Sequence, residues 1–144
     1  MGVGTLQAQT IKKYDGPMNI PPELHQLYSF CPRSTNKTIG SYTYYENADE
    51  ERIKHDDFKI VFCSPNFNRE VRGKYQDGKK TGVWTVKDIL IAVKTNYAKH
   101  LELTFNFKND FLDGPLTGII HNGLQKYTVK CSFSNGRIIG PYHL

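Results

Sequence analysis

The residues best able to do chemistry in this chain are scattered. His55, Asp56 and Asp57 adjoin in "HDDF", and an imidazole beside carboxylates is the raw material of a metal site or an acid–base pair. The same Asp residues also suit left-handed turn geometry, so the segment is read as a polar hairpin tip. Glu70, Asp88, Glu102 and Asp110 are carboxylates that could pair across a cleft for hydrolysis, but nothing in their spacing joins any two. "ENADEER" at Glu46–Arg52 lacks the Gly and the ligand order of a calcium loop and reads as a solvated loop. "GKKTG" at Gly78–Gly82 lacks the full Gly-x4-Gly-Lys-Ser/Thr order of a phosphate loop, so Lys79 and Lys80 read as turn-tip charges. His25, His55, His100, His121 and His143 have no metal-ligand spacing. No cofactor, metal-ligand set or catalytic residue is assigned. The chain is read as non-enzymatic, with a small secreted hydrolase or ligand-binding β protein as the alternative.

Bulk properties narrow the classes. At 144 residues the chain is long enough for one domain with a buried core. A net charge of +5 is carried by scattered lysines, so nucleic acid is not the expected partner. No run approaches the roughly 20 apolar residues of a membrane span. Cys31, Cys63 and Cys131 lie in "YSFCP", "IVFCS" and "VKCSF". They read as buried free thiols, with one disulfide and a leftover thiol as the alternative. "GVGTLQAQ" at Gly2–Gln9 resembles the tail of a bacterial secretory signal with a cut after Ala8. Its basic start and long apolar centre are missing, so a frayed terminus fits equally. Residues 1–9 are therefore set apart from a single domain over 10–144. A secreted or cell-envelope protein is expected, with a cytoplasmic one as the alternative.

The elements that must position these residues are announced by a repeat. "YQDGKKTG", "FLDGPLTG" and "FSNGRIIG" align without gaps. Aromatics stand at Tyr75, Phe111 and Phe133. Turn pairs follow at Asp77–Gly78, Asp113–Gly114 and Asn135–Gly136, then a second Gly at Gly82, Gly118 and Gly140. Two residues further on come Trp84, Ile120 and Tyr142. Asp-Gly and Asn-Gly supply the positive φ of tight hairpin turns. The first aromatic and the later apolar residue can meet on one face, because strand side chains alternate. The second Gly leaves room for a close neighbour. Fainter turns are placed near Gly16, Asn36, Asp57 and Asn96, the second supported by Gly40 and Tyr42.

Strands fit between the turns. "REVRGKY", "GVWTV", "LELTFNF" and "YTVKCSF" are β-branched or aromatic. "VKDILIAVKTNYAKHL" also has helical spacing, but the repeat context favours strand. "PPELHQLY" reads as a single helical turn. The expected fold is all-β, consecutive antiparallel hairpins in an elongated twisted sheet, with Tyr75, Trp84, Phe105, Phe111, Phe133 and Tyr142 along its packed face.

The pattern resembles the MORN-repeat family, and "DGKKTGVW" at Asp77–Trp84 is most similar to the bacterial antitoxin-like variants. The resemblance covers about residues 71–84 and 104–142. It implies stacked β-hairpins, and a role in protein scaffolding, in lipid-headgroup contact or as an antitoxin. The expectation is a non-catalytic protein-interaction module with an unidentified protein partner. Tyr42, Tyr44 and Tyr45 are candidate contacts, with cross-strand packing as their other reading. Lys79, Lys80, Lys108, Lys126, Lys130 and Arg137 could gather on one edge and meet an anionic membrane surface. They could equally serve to keep strand edges soluble. The last strand is expected to be short and to pair back onto "YTVKCSF", or to join a second copy as a homodimer through the C-terminal edge.

Overall fold

The computed structural model describes residues 10–19, 21, 22, 24, 37–64, 67–92, 97–122 and 125–143. Ten strands form one open antiparallel sheet. They are β1 (Lys12–Pro17), β2 (Lys37–Glu46), β3 (Arg52–Ser64), β4 (Phe67–Gln76), β5 (Lys79–Ala92), β6 (Tyr97–Lys108), β7 (Phe111–Leu112), β8 (Gly114–Asn122), β9 (Gln125–Ser134) and β10 (Arg137–His143). The order across the sheet is the order along the chain, with the short β7 continuing the edge of β8 against β6. The all-β hairpin expectation is met, including strand on both sides of 93–96, four residues outside the described set.

Alternation selects the packed face. Ile60, Val71 and Val86 oppose one another across β3, β4 and β5, and all three are buried. Phe58, Phe62, Tyr75, Trp84 and Phe105 complete the same cluster. The Trp84 ring lies 5.8 Å from Phe58, 5.4 Å from Tyr75 and 5.6 Å from Phe107, centroid to centroid. The pairs with Tyr75 and Phe107 are edge-to-face, and pairs of this kind add to the area they bury. The connection from β1 to β2 contributes fully buried Leu24 to the same core. Leu24 N–H donates to the Pro21 carbonyl in a short 3₁₀ turn, the described part of the expected helical turn. The core row ends in a buried ion pair. Arg69 Nε lies 2.6 Å from Asp88 Oδ1, and a second guanidinium nitrogen grips Oδ2.

Several expectations are corrected. Two of the three repeat turns form as read. Asp77 and Gly78 take φ of 49° and 84°, and Asn135 and Gly136 take 47° and 82°, the doubly positive geometry of a type I′ hairpin. The third turn is not Asp113–Gly114. It is Asn109–Asp110, at φ 50° and 71°. Gly114, at φ 97°, instead corresponds to Gly82 and Gly140, at 68° and 69°. In each of these three hairpins the left-handed Gly stands four residues past the second turn residue.

The shifted register moves the other members of the repeat. Phe107, not Phe111, is the counterpart of Tyr75 and Phe133. Leu116, not Ile120, is the counterpart of Trp84. Phe111 accordingly lies outside the core at 57% exposure, and Phe133 is half-buried. The Tyr142 side chain lies outside the described residues. Gly82 and Gly140 make no room for a neighbour, since an added Cβ would meet nothing within 4 Å. They relax a positive φ. Gly118 does make room, for Leu103.

"HDDF" is not a hairpin tip. His55, Asp56 and Asp57 lie inside β3, where Asp56 is left-handed at φ 73° beside a register shift. Gly16 lies within β1, paired with Gly40, and is not a turn. Asn36 and Asn96 fall outside the described residues. "ENADEER" does form an exposed turn, organised by Asn47, whose side-chain oxygen accepts the N–H groups of Asp49 and Glu51. Cys131 is a half-buried free thiol. Cys31 and the Cys63 side chain lie outside the described set.

Candidate interaction surface

Four left-handed positions, Asp56, Gly82, Gly114 and Gly140, sit in the returning strands of four hairpins. The first three each oppose an aromatic residue from the next hairpin. Asp56 pairs with Tyr75, Gly82 with Phe107, and Gly114 with Phe133. A bulge in the ladder accompanies each, because a left-handed residue cannot continue a regular strand.

The turns are tied together by the same logic. Gly78 N–H donates to the Lys54 carbonyl at 2.8 Å, Asp110 N–H to Lys80 at 3.1 Å, and Gly136 N–H to Leu112 at 2.7 Å. Each acceptor lies two residues before the left-handed position of the preceding hairpin. Each donor is the second residue of the next turn. In the first two joints the acceptor residue also meets the incoming aromatic. Lys54 Nζ lies 5.3 Å from the centre of the Tyr75 ring and Lys80 Nζ 4.5 Å from that of Phe107, within cation–π range. Lys80 is buried by this contact, which corrects its reading as a turn-tip charge.

Side chains reinforce the joints. Asp110 Oδ1 accepts Lys80 N–H at 2.8 Å, and Asp77 N–H donates to His55 Nδ1 at 3.2 Å. Tyr45 donates its hydroxyl to Asp77 Oδ1 at 2.9 Å. That hydrogen bond, followed by burial and the Asp77 charge, holds the Tyr45 phenol above its ordinary value of 10.0. The Arg52 guanidinium, which donates to the Tyr42 hydroxyl at 3.1 Å, is likewise held above its ordinary value, first by that hydrogen bond.

The candidate partner tyrosines are therefore engaged within the sheet. Tyr44 and Tyr45 are buried and Tyr42 is half-buried. Tyr42 stacks on Phe58, and Arg52 lies over Tyr44 at 4.7 Å. The cross-strand reading accounts for all three. The carboxylates are dispersed: Asp88 on Arg69, Glu70 on Arg72, Asp110 on the Lys80 backbone, and Glu102 in an exposed strand position opposite Lys87. Among the described residues no three His, Cys, Asp or Glu side chains gather as a metal site. A shallow cleft of about 430 Å³ lies over β1–β4, lined by Lys13, Thr43, Asp57, Lys59 and Arg72 among others.

Of the seven large apolar side chains exposed among the described residues, Ile11, Ile39 and Val83 lie elsewhere and four lie at the C-terminal end. Phe111, Tyr127, Ile138 and Ile139 are each about half exposed, at 48–57%. β10 pairs with β9 on one side, through Arg137–Ser134, Ile138–Phe133 and Ile139–Ser132, and forms the edge of the sheet on the other. The expected pairing of the last strand back onto "YTVKCSF" is present. Compared with known protein families, with curated proteins and with solved structures, the chain gives no match. The residues missed in the sequence were Asn109 and Asp110. Their signal was present, since both types tolerate positive φ and a Gly follows at the right distance, but the nearby Asp-Gly pair is the stronger turn motif.

Proposed function

We propose that this protein is a non-catalytic interaction module, a MORN-like stack of hairpins that presents its C-terminal strands to a protein partner. The supporting observation is a contrast within one sheet. β3 to β6 close a dense aromatic core, whereas β7 to β10 carry four of the seven large apolar side chains that are exposed among the described residues, and no described strand pairs with the outer edge of β10. Apolar side chains exposed near an unpaired edge are a liability unless another surface covers them. The test is site-specific photo-crosslinking from Tyr127 and Ile139 in the source organism, compared with Lys13 on the opposite edge. A protein captured from the first pair alone, and lost with Tyr127→Ser/Ile139→Ser, supports the reading. Turnover of a defined substrate by purified protein, abolished by a single carboxylate substitution, would falsify it.

A second reading draws on the turn edge. Lys79, Lys108 and Arg137 are exposed and flank three turns that the backbone hydrogen bonds hold in one row. Such a row could meet an anionic surface, each charge adding on the order of 1 kcal/mol near a charged membrane. Co-sedimentation with phosphatidylserine vesicles, compared with a Lys79→Ser/Lys108→Ser/Arg137→Ser variant, distinguishes this reading from protein binding.

A further inference from the structure

We propose that the outer edge of β10 is an acceptor site for a β-hairpin of a partner protein, one carrying an aromatic residue two positions before an Asn-Gly or Asp-Gly type turn. The proposal rests on the interaction reading above and names the partner's chemistry. Three observations carry it.

The first is the left-handed series. Asp56, Gly82 and Gly114 each face an aromatic residue of the following hairpin. Gly140 also has a positive φ, stands four residues past its turn as Gly82 and Gly114 do, and has open space around it.

The second is the carbonyl series. Lys54, Lys80 and Leu112 each accept the N–H of the following turn. Ile138 is the next member. The residues flanking a two-residue hairpin turn exchange hydrogen bonds, and the next pair does not. Arg137–Ser134 is the flanking pair and Ile138–Phe133 the next, so the Ile138 N–H and C=O face outward. The Ile138 side chain is 55% exposed, whereas Lys80, its counterpart, is buried beneath the Phe107 ring.

The third is proline placement. Pro141 directly follows Gly140, and a proline in an edge strand ordinarily discourages pairing. Yet Pro115 directly follows Gly114 in β8, an inner strand that pairs with β6 on one side and β9 on the other, with Pro115 opposite Ser132. At this point of the bulge a proline is compatible with an outer neighbour. β10 therefore has the construction of β8, which carries a hairpin, and the hairpin that β8 carries shows what fits: Phe133 opposite the left-handed Gly, and Gly136 N–H on the carbonyl two residues earlier.

A second copy of this chain paired edge to edge would not reproduce this fit. Two antiparallel β10 strands place each Asn135–Gly136 turn at the far end from the other's Ile138 carbonyl.

The probe is a fluorescein-labelled synthetic peptide of the chain's own hairpin, residues 125–143, titrated with the full-length protein and read by anisotropy. Saturable binding is expected, weakened at least tenfold by Phe133→Ala in the peptide. In the protein, Ile138→Pro and Ile138→Asp should each cause a similar loss, with unchanged circular dichroism showing that the sheet persists. Ile138→Lys should retain binding, because Lys54 and Lys80 make the same contact from the same position. Absent binding, or binding indifferent to the Pro and Asp variants, overturns the proposal. The latter result would mean that the peptide replaces the native hairpin on β8. A protein dimer in sedimentation, dissociated by Ile138→Pro, would also overturn it by making a second copy the occupant. A partner crosslinked through Tyr127 and Ile139 but unaffected by Ile138→Pro would remove the edge site and leave the interaction reading intact.

Discussion

The indole of Trp84 occupies the space where Gly73 would carry a side chain. A Cβ built on Gly73 would lie 2.0 Å from Trp84 Cδ2 and 2.1 Å from Cε2. The two residues face each other where the β4–β5 ladder shifts register, between the Arg72–Thr85 and Lys74–Thr81 pairs. The bulge that begins at left-handed Gly82 bends β5, and the missing side chain on β4 lets the largest ring in the protein lie flat on backbone.

Gly73→Ala should therefore destabilise more than its single methyl suggests. The clash falls on the ring's fused edge, which cannot rotate away without leaving its aromatic neighbours. Overpacking of this kind costs about 1–3 kcal/mol, and a urea melt together with a red-shifted tryptophan emission would report it. Trp84→Ala should cost roughly 3–5 kcal/mol. Gly118→Ala should cost less, because the nearest atom is the end of the Leu103 side chain, at 2.7 Å. Equal midpoints for Gly73→Ala and wild type would show that the ring is free to move.

The left-handed positions should tolerate Asn and Asp better than Ala. Gly82 has open space around it, and at the comparable bulge in β3 the chain carries Asp56 at φ 73°. Gly82→Ala should cost about 1 kcal/mol through backbone strain alone. Gly82→Asn should cost measurably less. Indistinguishable urea midpoints for the two variants would contradict the assignment.

The Arg69–Asp88 pair should behave as a unit. Asp88→Ala leaves a guanidinium buried without its carboxylate, at a cost of about 3–5 kcal/mol. Arg69→Met/Asp88→Leu should recover most of that loss, since paired replacement by apolar residues of similar size is often neutral. A double variant as unstable as Asp88→Ala would show that other contacts of Arg69 dominate.

Tyr45 should ionise late. Its hydroxyl donates to the Asp77 carboxylate, and that bond, with burial and the nearby charge, raises the phenol above 10.0. A raised folded-state value means that the contribution to stability is complete below the unfolded phenol value and is lost as pH rises through the folded one. In a phenolate absorbance titration, Asp77→Asn should move the Tyr45 transition back toward 10.0. An unchanged titration would mean that the carboxylate has no hold on it.

Chain chemistry alone settled the all-β sheet, the in-order hairpins and two of the turns. Asp77–Gly78 and Asn135–Gly136 are local: the energy that favours positive φ belongs to those residues and their immediate neighbours. Gly82 and Gly140 were marked too, but as room for a close neighbour; their purpose, a left-handed bulge, was not visible. The register of the third hairpin was decided by tertiary structure. Asn109–Asp110 and Asp113–Gly114 are both competent turns, and choosing the first places Phe107, Leu112 and Leu116 against the core while leaving Phe111 in solvent. Moving the turn by four residues exchanges the faces of Phe111 and Leu112, and both are apolar, so alternation could not choose; only the neighbouring hairpin, with Lys80 beneath Phe107 and its carbonyl on Asp110, could. The burial of Tyr44 and Tyr45 was equally non-local, resting on contacts with Arg52, His55 and Asp77 across the sheet. The exposed edge of β10 is the extreme case. Residues 137–140 have the chemistry of an inner strand, and only the assembled sheet shows that no described strand lies beyond them.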